Sequence, residues 1–175
     1  MQWSKLKKNI ESFFADSVKG RVELRSVRYN KTHDNEGRGY ITIDKEEIAS
    51  FCTISTWNKE YEIATELRNI SGSTDFRNPE HQVEYYQAYE QADDITKKQG
   101  LHSQYDFYNS LNEYLSLSID EALESNNDLI KALTILDRRL GKRRVAQLKG
   151  HYSHPEFLSK LFQFRCKVDN VRIAT

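Results

Sequence analysis

The stretch Leu129–Lys149, LIKALTILDRRLGKRRVAQLK, carries both features that decide how the chain is read. Leu129, Leu133, Leu136 and Leu140 recur at three- and four-residue steps, one stripe of an α-helix built for burial. Leu133 and Leu136 are therefore expected in the core, and Leu133→Ala should cost about 2–5 kcal/mol in a denaturant titration. Beside the stripe lies the densest charge in the protein: Arg138, Arg139, Lys142, Arg143, Arg144 and Lys149, with Asp137 the sole acid. After Leu140 the next apolar residues are Val145 and Leu148, so the stripe loses phase at Gly141, where a helix readily ends. Gly141-Lys142 is no phosphate loop. The earlier glycine is missing, and Arg143 stands where a Ser or Thr is required.

Downstream, Ser153-His154-Pro155-Glu156 opens a helix bearing Phe157, Leu158, Leu161, Phe164 and Val168. Upstream, Ser118 and Glu121 have capping-box spacing, and Ser103 caps a helix with Phe107, Tyr108, Leu111, Tyr114 and Leu115. Asn78-Pro79 opens a helix that Gly100 ends. Another runs from Trp57 to about Ile70, closed by Ser71-Gly72-Ser73, after a break in the helix-poor run Thr53–Thr56. Asp44 and Glu47 again have capping-box spacing, with Ile43 and Ile48 as the hydrophobic staple, so a helix is expected to start there. Arg21–Asn30 reads as a strand whose apolar face switches between Leu24 and Val27, which predicts a bulge near Arg25–Ser26. A polar turn, KTHDNEGRG, leads to a second strand at Tyr40–Ile43. Trp3, Leu6, Ile10, Phe13 and Phe14 form a first helical stripe, ended at Gly20. The expected fold is α+β and helix-dominated, with one N-terminal antiparallel β-hairpin packed on a multi-helix bundle. A chain of 175 residues without repeat or linker is expected to be one domain, 1–43 a helix plus hairpin and 44–175 helical.

Charge is strongly segregated although the net is zero. Residues 1–43 carry +4, residues 44–128 carry −12 and residues 129–175 carry +8. Either the acidic middle folds against the basic end, or that end faces an acidic partner. Internal pairing is the expectation for at least two of Arg138, Arg139, Arg143 and Arg144, with acids from residues 44–128 as partners. The apolar runs are too short to span a bilayer, and the opening lacks the apolar core of a signal peptide. Two cysteines, Cys52 and Cys166, fit a reducing compartment, so a cytoplasmic location is expected and the sequons at Asn30 and Asn69 carry no weight.

The opening MQWSKLKK, the run GRVELRSVRYNKTHDNEGRGYITID and the later LDRRLGKRR resemble a family of small uncharacterised bacterial proteins. The resemblance implies a bacterial, cytosolic protein and carries over no functional residue.

Arg138, Arg139, Lys142, Arg143, Arg144 and Lys149 are the candidate contact residues for a partner or a phosphate backbone. The acidic middle would repel a nucleic acid, and the run has no stacking aromatics, so a solvated or internally paired face is the simpler reading. His151 and His154 near Glu156 are too few ligands for a zinc site, and no metal or cofactor is expected. His33, Asp34 and Glu36 share a turn, which is polar in any protein. Cys52 reads as a small buried hydrophobe. Tyrosines 85, 86, 89, 105, 108 and 114 are an unusual cluster. Packing between helices 79–99 and 103–117 is its default explanation, and a partner groove the alternative. No catalytic constellation emerges. The first functional reading is a non-enzymatic binding or regulatory protein with a protein partner or a second copy of itself. Nucleic-acid binding through 138–149 and an enzyme of unknown type are the alternatives, and no membrane is expected.

Overall fold

The computed structural model describes residues 2–31, 36–148, 152 and 154–171. Among these, eight helices surround one antiparallel three-stranded sheet of order β1-β2-β3. The fold is α+β with helix dominant. No described helix is long and apolar enough to cross a membrane.

Helix α1 (Trp3–Ser12) turns Leu6 and Ile10 inward, and its Glu11 carboxylate accepts the Leu24 amide at 3.1 Å, tying it to β1 (Val22–Arg28). Val22 and Leu24 are buried, whereas Val27 points outward. No bulge is needed to explain the switch. The inward place between Leu24 and Arg28 belongs to Ser26, whose hydroxyl meets Tyr108 Oη at 2.8 Å and accepts from Gln104 at 3.0 Å. The register from Val22↔Ile43 to Arg28↔Gly37 is unbroken, and the irregularity lies instead between Ile41 and Thr42 of β2 (Gly37–Ile43), where it pairs with the next strand.

That next strand, β3 (Glu46–Cys52), replaces the helix expected from the Asp44–Glu47 spacing. Asp44 and Lys45 have φ of 50° and 75°, the left-handed pair of a tight two-residue hairpin loop. The Asp44 carboxylate is taken by Arg21 at 2.8 and 2.5 Å instead of capping a helix. A capping box satisfies two amides, whereas the ladder from Arg38↔Cys52 to Ile43↔Glu46 pairs a whole strand, so the longer-range contact wins. β3 then runs directly into α2 (Thr53–Ser71), which starts at Thr53 and not Trp57; the Thr53 hydroxyl is anchored by the Gln104 amide at 3.2 Å.

Helix α3 (Gln82–Lys98) begins after a turn in which Asn78 accepts from Glu80 and His81, so Asn78-Pro79 precedes the helix by a turn and does not cap it. Ser103 caps α4 (Gln104–Tyr114) and Ser118 caps α5 (Ile119–Glu124), each in a full capping box, with Asp106 and Glu121 reaching back. Asn127 caps α6 (Asp128–Leu136), in which seven of nine residues are buried. This helix is the centre of the core, packed on α4, α5 and α8 (Glu156–Asp169), with Leu133 and Leu136 1% and 0% exposed. It stops four residues before the leucine stripe does. Leu140 is buried from a turn, and Gly141 lies at the N-terminus of α7 (Lys142–Gln147), not at the end of a long helix.

Sheet and helices meet around Phe107, which stacks on Phe51 at 5.4 Å and lies against Trp3. A Cβ on Gly39 would lie 2.3 Å from Phe107 Cδ1. Gly39→Ala should therefore cost about 1–3 kcal/mol through overpacking. An unchanged urea midpoint would mean the ring moves aside freely.

Candidate functional site

Helix α3 packs on α2, and α2 also touches β2 and β3. Ala64, Ala88 and Ala92 let the two backbones approach, and with Ile63 they form a second small core, flanked by Leu67 and Ile95 and separate from the main one. So thin a seam leaves most apolar side chains of the pair outside it. Of nine exposed large hydrophobics among the described residues, seven belong to this arm: Trp57, Tyr61, Ile70, Phe76, Val83, Tyr86 and Tyr89. Tyr61 is 61% and Tyr86 57% exposed. The expected packing of tyrosines 85, 86 and 89 against α4 is therefore wrong, because α3 packs on α2. On α4 itself Tyr114 is fully buried, Tyr108 bonds Ser26 and Tyr105 is exposed.

The aromatic groups around the start of α3 are continuous. Tyr85 contacts Phe76, Tyr86 and Tyr89 at centroid distances of 5.8, 5.7 and 6.0 Å. Arg68 links the two helices: its guanidinium carbon lies 4.2 Å from the Tyr85 ring, 4.6 Å from Tyr89 and 5.9 Å from Tyr61. It is 5% exposed and donates to Ala64 O at 2.9 Å, with no carboxylate partner among the described residues. The tyrosine faces hold this cation by cation–π attraction. Arg77 lies over Phe76 in the same manner, at 5.5 Å.

The basic run is divided between structure and solvent. Arg139 stacks over Phe13 at 4.6 Å and donates to Asp137 at 2.9 Å and to Leu117 O at 3.1 Å. Arg144 pairs with Asp120, and Lys142 donates to Asp169 O at 2.7 Å. Arg138 and Arg143 are exposed and form no ion pair among the described residues. Two of the four arginines are thus paired internally, but Arg144 alone meets an acid of the 44–128 segment. Lys149 lies outside the described residues.

Of the acid–base candidates, His33, Asp34 and His151 also lie outside the described residues, as does Ser153. Glu36 is buried just before β2. His154 lines a groove of roughly 580 Å3 at the foot of the arm, with Lys97, Lys98, His102, Asp106 and Asp128. His102 is the residue here that sequence reading missed; nothing in its neighbours marks it. Its Nε2 lies 3.8 Å from Asp128, within ion-pair reach but beyond a hydrogen bond, and has no hydrogen-bond partner. Burial pushes the Asp128 carboxyl up, but His102 and Lys131 outweigh it and the net direction is down. The lining mixes both signs, and no cluster that could hold a metal occurs among the described residues. Cys52 is half-buried at the entry to α2, not part of the core. Burial raises its thiol, while hydrogen bonds from Ser55 and the α2 amides lower it further than that.

The arm could have been suspected from its sequence. Trp57 and Tyr61 are one helical turn apart, as are Tyr85 and Tyr89, and no small core accommodates four large rings. Comparison with curated proteins and with solved structures returned no match. The motifs that frame this architecture, from α1 through the sheet to the basic turn, fall within one continuous family match over residues 2–166, and the chain belongs to the SF0329 protein family.

Proposed function

We propose that this is a bacterial, cytoplasmic, non-enzymatic binding or regulatory protein that docks a protein partner on the aromatic face of the α2–α3 arm. The observation that carries this reading is the gathering of seven exposed large hydrophobics on one helical hairpin with a four-residue core. Contiguous exposed apolar surface on an otherwise very polar chain marks an interaction site, and tyrosine and tryptophan are favoured at such sites. Docking also supplies the burial that the arm lacks by itself. Nucleic-acid binding through 138–149 has less support, since Arg139, Lys142 and Arg144 already have protein acceptors. An enzyme has less support, since the serine–carboxylate contacts that the described residues make, Ser73 with Glu84 and Ser103 with Asp106, brace a turn and cap α4.

A photo-cross-linking phenylalanine analogue in place of Tyr86, in cells, tests the proposal. We expect a discrete adduct that disappears when Trp57 and Tyr61 are both changed to Ser, and none from the same probe at Lys160 on α8. Equal yields at the two positions, or no adduct at Tyr86, would remove the arm as a docking site.

A further inference from the structure

The arm is acidic as well as aromatic. Residues 57–100 hold nine Asp and Glu against five Lys and Arg, and two of those cations, Arg68 and Arg77, lie against its rings. Such a surface suits a partner that presents arginine, whose flat guanidinium stacks on a tyrosine face while its charge meets the acids. The same chain presents that chemistry elsewhere. Arg138 and Arg143 project from the turn before α7 and from α7 itself, exposed and without an ion pair among the described residues. Apart from the local pair Lys131–Asp128, Arg144–Asp120 is the sole described ion pair between the +8 end and the −12 middle. Asp44 and Glu47 of the middle pair instead with Arg21 and Arg38 of the first segment, so little of the +8 end is spent on the middle within one copy. α7 packs on α8, and the arm packs on itself and the sheet, so the two surfaces do not cover each other within one molecule.

We infer that the arm's partner is a second copy of this chain: Arg138 and Arg143 of one copy stack on the Tyr61–Tyr86–Tyr89 face of the next. This rests on the arm being a docking surface and adds the identity of what docks. The two patches are different, so the contact is head-to-tail and leaves a free arm at one end and a free basic turn at the other. Exposed ion pairs and cation–π contacts are individually weak, so the association is reversible and salt-sensitive.

Sedimentation velocity on the full chain, over a range of concentrations, is the test. At about 25 mM salt, where the Debye length is long, mass should rise above the monomer with concentration, and at about 500 mM salt it should return to the monomer. Arg138→Gln/Arg143→Gln and Tyr86→Ser should each be monomeric at low salt, with a thermal midpoint close to that of the unchanged chain because all three positions are exposed and none of them holds Arg68. Mixed in equal amounts the two variants should form a 1:1 pair and nothing larger, because the first retains the arm and the second retains the basic turn. A monomer at every concentration at low salt overturns the inference. So does association that survives either variant; an arm-to-arm dimer would survive the arginine variant and not the tyrosine one. If self-association fails while the Tyr86 probe still yields its adduct, this inference falls and the arm remains a docking site for another protein. If both fail, the arm reading falls with it.

Discussion

Replacing Arg165 with methionine should lower the unfolding free energy by about 3–5 kcal/mol, the cost of breaking a buried charge network by removing one partner. Arg165 is 3% exposed on α8, and all three of its guanidinium nitrogens donate. Nε donates to Asp169 at 2.7 Å, Nη1 to the carbonyls of Ile135 and Asp137 at 3.0 and 3.2 Å, and Nη2 to that of Leu140 at 3.2 Å. Those three carbonyls lie where α6 stops, and a helix end leaves its last carbonyls without intrahelical donors. One side chain thus caps α6 and fixes the turn that carries the basic run. Methionine fills similar volume but strands three carbonyls and a carboxylate. Lysine, a point donor, should recover only part of the loss. Urea titration at constant m checks this, and a change under about 1 kcal/mol would show that water replaces the guanidinium. Asp169 adds a pH signature. Burial raises its carboxyl, but its hydrogen bonds and the Arg165 charge lower it by more, so it sits below the ordinary aspartate range. A depressed carboxyl stabilises the fold above its unfolded pKa, about 4, and that contribution is lost as pH falls through the folded value. In Arg165→Met the acid-side fall should be shallower.

Local signals were legible where nothing distant competed with them. Ser103 caps its helix, the capping box at Ser118 formed as spaced, and the leucine stripe lies in the core. The same spacing at Asp44 failed because β2 offered residues 46–52 a full ladder and Arg21 took the carboxylate. Sequence periodicity reports which side of a helix is apolar, not which neighbour covers it. That is why periodicity assigns tyrosines 85, 86 and 89 to a seam with α4, whereas α3 packs on α2 and turns Tyr86 and Tyr89 outward. The charge segments were also legible in sum but not in partner. Arg139 found Asp137 two residues away, and the acidic middle received one arginine of the four. An ion pair depends on where turns place side chains, and no residue pattern marks the turn after Leu136.

Asp137→Ala should be as damaging, about 3–5 kcal/mol, because it leaves the buried Tyr114 hydroxyl without an acceptor and takes the carboxylate from the half-buried Arg139. Asp137 is 0% exposed, and its side chain accepts from Tyr114 Oη at 2.6 Å, from the Arg139 amide at 2.6 Å and from Arg139 Nε at 2.9 Å. Its backbone neighbours complete the joint, with Arg138 donating to Phe13 O and Ala15 to Leu136 O, both at 2.8 Å. Burial, then the hydrogen bond to Asp137, pushes the Tyr114 phenol far above its ordinary range, which favours the protonated donor. Asp137→Asn would keep the shape and one acceptor but lose the charge, and should cost about 1–3 kcal/mol. Tyr114→Phe removes one of the stranded groups, so its loss and that of Asp137→Ala should not add; the double variant should be about 1 kcal/mol or more better than the sum. Simple additivity would mean that the hydroxyl and the carboxylate act independently. The result bears on how the basic run is tested. Arg139 belongs to this joint, so its replacement should lower stability, whereas Arg138 and Arg143 can be neutralised with the fold intact, and any lost association then reports on contact and not on unfolding.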